Sequence, residues 1–185
     1  MTITAETIPG YVAGTWKIDP AHTEIGFSVR HLAISKVRGT FESFDATVHA
    51  AENPAESTVE VTVDVASITT GNADRDAHLR SNDFFDPEQY PTMTFVSTGI
   101  RIEGEKVLLD GDLTLRGVTK PITLTGEFGG IAKDPWGNLK AAASGSTVIN
   151  RHDFGVSWNA PLETGGFLLG EQVTITIDAQ FSLQG

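Results

Sequence analysis

The run 57-STVEVTVDVASI-68 decides the fold. Val59, Val61, Val63 and Val65 alternate with Thr58, Glu60, Thr62 and Asp64. A period of two sends the valines to one face of a strand and the polar set to the other. The spacing therefore predicts a long strand with one dry face and one wet face.

The alternation stops in the next stretch, 69-TTGNADRDAHLRSNDFFDPEQYP-91. Asn72, Asp74 and Asp76 suit a helix cap or first turn, and Ala73, Ala77, Leu79 and Arg80 favour helix. Asn82 and Asp83 halt it, and Phe84-Phe85 is followed by Pro87 and Pro91. This predicts a single short helix inside an otherwise all-β chain, closing one end of a barrel.

Strand patterns recur on both sides. Towards the N-terminus, Ile25, Phe27 and Val29 share one face, and Val37, Gly39 and Phe41 share one phase before a shift near Ser43-Phe44 that suggests a bulge. Towards the C-terminus, Glu103-Gly104 marks a tight hairpin and Gly117 starts a turn. Ile122, Leu124 and Phe128 take one side of the following strand, while the phase of KAAASGSTVIN is not settled by its residues. A glycine-rich loop at Thr164-Gly165-Gly166 precedes a last strand with Val173, Ile175, Ile177, Phe181 and Leu183 in phase. The expected fold class is all-β, with roughly eight antiparallel strands of about 9–12 residues, longer than the usual mode. Such strands fit a closed up-and-down barrel of one domain over residues 15–185, after a loose lead-in at 1–14.

Composition narrows the function. Lys+Arg 13 against Asp+Glu 24 gives a formal net charge of -11, which argues against nucleic acid and against anionic lipid surfaces as partners. With Cys 0 there is no thiolate chemistry and no disulfide framework. No apolar run reaches the roughly 20 residues of a membrane-spanning helix, so no integral membrane segment is expected. The N-terminal stretch lacks the basic and apolar regions of a signal peptide, and the chain reads as cytoplasmic.

An eight-stranded barrel is either filled by side chains or holds one small ligand. Gly39, Gly111, Gly126 and Ala179 fall in the apolar phase. They either leave room for an apolar ligand or mark bends where the strands coil. No histidine pair has metal-ligand spacing, and His78 suits a helix-surface network with Asp74 and Asn82. Arg75-Asp76 and the Arg151…Asp153 stretch suit either arginine–carboxylate staples or the recognition of a phosphate or carboxylate head group. Phe84, Phe85, Phe95, Phe154, Trp158 and Phe167 either line an entrance or fill the core. GxSxG, P-loop, GxGxxG and EF-hand motifs are all missing, so neither enzymatic activity nor a cofactor or metal is expected.

Several segments together resemble the YceI family of polyisoprenoid-binding or YceI-like lipid-binding proteins. They are WKIDPAHTEIGFSVRH (16–31), VRGTF (37–41), SITT (67–70), RDAHLRSNDFFDPEQYPTMTFVST (75–98), GDLTLRGVTKPITL (111–124) and INRHDFGV (149–156). The resemblance implies an extended lipocalin-like eight-stranded antiparallel β-barrel with a helix at one end. It also implies an elongated pore that accepts a long-chain isoprenoid or similar fatty amphiphile. Family members are often exported, unlike the reading of this N-terminus. The candidate pore residues are Phe27, Val29, Phe41, Phe84, Phe85, Phe95, Leu113 and Phe154, with His31, Arg75, His78 and Arg151 towards the mouth. A homodimer is compatible with the loop surfaces of such a barrel. The alternatives are an enzyme acting on a small lipid in the same cavity, or a partner-binding scaffold.

Overall fold

Strand β5 (Thr58–Asp64) has the faces its alternation predicts: Thr58, Glu60, Thr62 and Asp64 are exposed and Val63 is buried. In the computed structural model, which describes residues 4–163 and 165–185, it belongs to a single antiparallel sheet. The other members are β1 (Gly14–Ile18), β2 (Glu24–His31), β3 (Ser35–Phe41), β4 (Phe44–Ala50), β6 (Ile68–Thr69), β7 (Thr92–Glu103), β8 (Lys106–Leu115), β9 (Val118–Lys133), β10 (Leu139–Asn150) and β11 (Leu169–Leu183). Residues 1–3 of the lead-in and Thr164 of the glycine-rich loop lie outside the described residues.

Eight of the strands close a ring in the order β1-β4-β5-β7-β8-β9-β10-β11, and β1 pairs back onto β11. The remaining three extend it. β2, β3 and β6 continue β1, β4 and β5 beyond corners, and they pair as β11-β2-β3-β6. The eight staves of the expected barrel are present, three of them broken.

Each corner has a local cause. Between β1 and β2, Pro20–His22 forms a 3₁₀ turn whose cap Asp19 accepts from the Ala21 amide. Between β5 and β6, Val65–Ser67 does the same under Asp64, which accepts from the Ala66 amide. Short polar side chains of this kind offer the backbone a turn in place of a ladder. The apparent bulge at Ser43-Phe44 is in fact a full break. β3 ends at Phe41, β4 starts at Phe44, and the Glu42 and Ser43 amides donate to the Ser67 carbonyl (3.2 Å) and Oγ (3.0 Å). The break lets β3 leave the neighbourhood of β1 and pair with β2 instead.

Helix α1 (Ala73–Leu79) is capped by Asn72, whose side chain accepts from the Arg75 amide at 3.0 Å. It stops at Leu79, so Asn82 lies beyond it and cannot share its face with Asp74 and His78. His78 pairs instead with Asp83, Nε2 to Oδ2 at 2.9 Å. The helix and the segment after it connect β6 to β7, two strands that are not hydrogen-bonded to each other. Three side chains pin α1 to the chain running from the β5–β6 corner through β6 to Thr70. Buried Asp76 accepts from the Thr70 amide (2.8 Å) and hydroxyl (2.6 Å), and the Arg75 Nε donates to Thr70 Oγ1 at 2.7 Å. Arg80 donates to the carbonyls of Ala66 and Ile68, each at 2.8 Å.

The hydrophobic core gathers Ile25, Phe41, Val63, Val65, Ile68, Met93, Leu113, Leu115, Ile149 and Phe154. Burying each aliphatic side chain of this set contributes about 1.5–3 kcal/mol. The glycines in the apolar phase do not leave open space. A Cβ on Gly39 would lie 2.5 Å from the ring of Phe27, and one on Gly111 would lie 2.4 Å from the ring of Phe95. At Gly126 a Cβ would run into the Ser144 carbonyl across the ladder, because β9 and β10 coil closely there. Phe128, expected with the inward set, is 42% exposed.

Two tight turns differ in their chemistry. The β8–β9 turn has Arg116 at φ 50° and Gly117 at φ 73°, two positive values as a type I′ hairpin requires. The β2–β3 turn holds Leu32 and Ala33 at φ 56° and 61° without any glycine.

Candidate functional site

The ends of β2, β6, β8 and β10 and the starts of β3, β7, β9 and β11 meet at the end of the barrel that carries α1. Inside the wall at this end lies a cavity of about 210 Å³. Its floor and sides are apolar, with Ile25, Val37, Met93, Leu115, Ile149 and Val173 from six different strands. A row of rings crosses it: Phe27 and Phe41 have centroids 5.8 Å apart, and Phe41 meets Phe85 edge-on at 5.9 Å.

Nine of the twelve residues singled out from the sequence line this cavity. Val29 and His31 come from β2 with Phe27, and Phe41 comes from β3. Arg75 and His78 come from α1, Phe84 and Phe85 from the segment after it, and Arg151 from the 3₁₀ turn Arg151–Phe154. The other three do not line it. The Phe95 ring is spent covering Gly111, Leu113 packs with the core cluster, and Phe154, 2% exposed, is locked into that cluster beneath the 3₁₀ turn. The depth along the barrel at which each side chain stops is not written in a period of two.

The lip is aromatic and basic. The His78 ring stands edge-on to Phe84 (5.0 Å) and Trp158 (4.7 Å), and those two rings lie 5.4 Å apart. Arg116 donates to the Phe84 carbonyl and holds the segment from the β8–β9 side. Arg80, Thr70 and Arg116 carry this closure, and nothing in their spacing announces it.

Neither Arg75-Asp76 nor Arg151…Asp153 is an arginine–carboxylate pair. Arg75 and Asp76 each bond Thr70, and that bonding holds the Asp76 carboxyl below its usual range. Arg151 is 4% exposed and gives its protons to backbone: Nε to Gly170 O (2.8 Å), Nη1 to Val156 O (2.9 Å) and to Trp158 O (2.8 Å). It thereby ties the 155–168 loop to the start of β11. His152, next to Arg151 in the chain, does not line the cavity. It lines a shallow outer groove of about 510 Å³ with Arg30 and Glu171, on the solvent side of β2 and β11. That groove is larger but open and of mixed charge; the apolar cavity is the one the barrel encloses.

Among the described residues no group of three or more histidine, cysteine, aspartate or glutamate side chains could hold a metal ion. No helix is long and apolar enough to cross a membrane.

A closed antiparallel β-barrel with an apolar cavity under a short helix defines a lipocalin-like barrel protein. Comparison with known proteins narrows this. The model of the YceI-like domain matches residues 16–181, and the chain belongs to that family. A UPF0312 protein of Photorhabdus laumondii is 47% identical over 146 residues, covering 77% of this chain and 76% of the relative. The solved YceI protein of Campylobacter jejuni is 32% identical, with a TM-score of 0.69 over 96% of this chain and 100% of that one. A solved domain from Saccharophagus degradans, named as a polyisoprenoid binding domain, shares the fold at 13% identity, with a TM-score of 0.68 over 91% of this chain and 98% of that one.

Proposed function

We propose that this protein binds a long-chain isoprenoid or a similar amphiphilic lipid inside the barrel, for storage, transport or sequestration rather than for catalysis. The observation that carries this reading is the enclosed apolar cavity at the helix end, walled by side chains from six strands and a row of three phenylalanines. Each CH₂ of a chain moved there from water contributes about 0.8 kcal/mol, so a chain binds firmly with few polar contacts. The name of the Saccharophagus degradans domain supports the choice of isoprenoids as the first ligands to try.

At about 210 Å³ the cavity is smaller than the roughly 300–1,000 Å³ usual for a bound small molecule. A long chain therefore needs this space to widen, and the rings of Phe27, Phe41 and Phe85, which cross it, are the side chains that would have to move.

Native mass spectrometry of freshly purified protein, followed by organic extraction, tests the proposal. A stoichiometric isoprenoid or fatty amphiphile is the expected result. A clean protein mass that no added lipid shifts would overturn it.

A further inference from the structure

The chain carries 24 acidic residues against 13 basic ones, yet the cavity reverses that balance. Four ionisable side chains line it, His31, Arg75, His78 and Arg151, and no aspartate or glutamate does. His78 has the neighbouring Asp83 as its partner at the rim. Arg151 has no carboxylate within ion-pairing distance among the described residues, and its Nη2 is the one buried side-chain polar atom there without a hydrogen-bond partner. Three backbone carbonyls accept from Nε and Nη1 of this guanidinium, so its charge sits in an apolar wall without a direct ion-pair partner among the described residues. A buried, half-satisfied cation is costly to keep. Burial accordingly pushes Arg151 below the usual arginine range, against the pull of Glu171.

We infer that the ligand's head group is an oxyanion, a carboxylate or a phosphate, held at the helix end of the cavity by Arg151 and Arg75 while the chain runs down among the phenylalanines. This rests on the lipid-binding reading and specifies the polar end of the ligand. An oxyanion supplies what the wall lacks: acceptor lone pairs for Nη2 and a negative charge among basic side chains. Charge-assisted bonds of this type are roughly twice as strong as neutral ones. Arg75 is well placed to share the load, since it is exposed at the rim and its Nε and Nη2 are already steadied by Thr70.

The test uses one chain with three head groups. Geranylgeranoic acid, geranylgeranyl monophosphate and geranylgeraniol are titrated into the full chain by calorimetry, below their micellar concentrations. The expected result is that the acid, the phosphate or both bind at least about tenfold more tightly than the alcohol. Whichever anion is tighter identifies the source of the oxyanion. Arg75→Gln and Arg151→Gln should each shrink that gap, the anions losing more affinity than the alcohol. Arg151 also staples the 155–168 loop, so its variant is read only if it melts cooperatively; Arg75→Gln and the ligand series on the unaltered protein do not depend on it. Three head groups binding alike would overturn the oxyanion inference and leave lipid binding standing. A preference for anions that survives Arg75→Gln and a folded Arg151→Gln would overturn the assignment to these arginines. No binding of any of the three would remove the lipid reading itself.

Discussion

The ring of Phe27 lies across Gly39, its direct partner on the neighbouring strand, and occupies the place where a Cβ would stand. The glycine is there for the ring. Gly39→Ala forces a methyl to within 2.5 Å of Phe27 and 3.0 Å of Thr70, and overpacking of this kind costs about 1–3 kcal/mol. Urea denaturation should show the midpoint falling with an unchanged slope. Gly111→Ala, under Phe95, should behave alike.

Acid should weaken the barrel through its tethered carboxylates. Asp110, midway along β8, is held down to about 2 by hydrogen bonds from Arg101 and Thr123. Asp76 is lowered by Thr70, and Asp19 by His22 and Lys140. A carboxyl with a folded pKa below its ordinary value of 3.8 binds fewer protons folded than unfolded. Its contribution is therefore complete above that value and lost as pH falls through the folded one. The thermal midpoint should drop between about pH 4 and pH 2. Asp110→Asn should flatten part of that drop.

The β2–β3 turn places two side chains in a left-handed conformation that only glycine and, less readily, asparagine adopt cheaply. Replacing Leu32-Ala33 by Asn-Gly keeps the turn and removes the strain. The double variant should gain about 1–2 kcal/mol in chemical denaturation. Equal or lower stability would mean that the Leu32 side chain contributes more by packing than its conformation costs.

Phe85 reaches from the segment after α1 to the edge of Phe41. Phe85→Asp puts a carboxylate against the apolar chain proposed for the cavity. Lipid retention after purification should fall while the far-ultraviolet circular dichroism of the β-sheet persists. Loss of that β signal would assign Phe85 to the core alone.

The period-two runs made the barrel legible because each strand has one wet face, as Thr58, Glu60, Thr62 and Asp64 show. The helix was legible from Asn72 and the two prolines. The corners were not, since Asp19 and Asp64 look like ordinary wet-face or loop residues until their carboxylates are seen capping a turn. The glycines were ambiguous between open space and strand coiling: Gly39 and Gly111 share the apolar phase but serve Phe27 and Phe95 across the ladder, a relation between strands that a single strand's pattern does not carry. For the same reason Phe95, Leu113 and Phe154 were grouped with the cavity residues, although only depth along the barrel separates them. Arg151 was singled out, but its role as a tie between backbone carbonyls depends on a loop and a strand that the sequence sets far apart.

The absence of ladder bonds between β6 and β7 divides the molecule into two materials. Around β1, β4, β5 and β7 every stave is bonded to the next, and the circumference is set by the peptide groups themselves. Beside α1 the circumference is set by Asp76, Arg75, Arg80 and the rings of Phe84 and Phe85. This flank can therefore widen and recover without unzipping a strand, which is what the guest proposed above would require of a space this small. Amide protons of the two flanks should exchange on separate clocks, the helix flank opening many times for each opening of the ring.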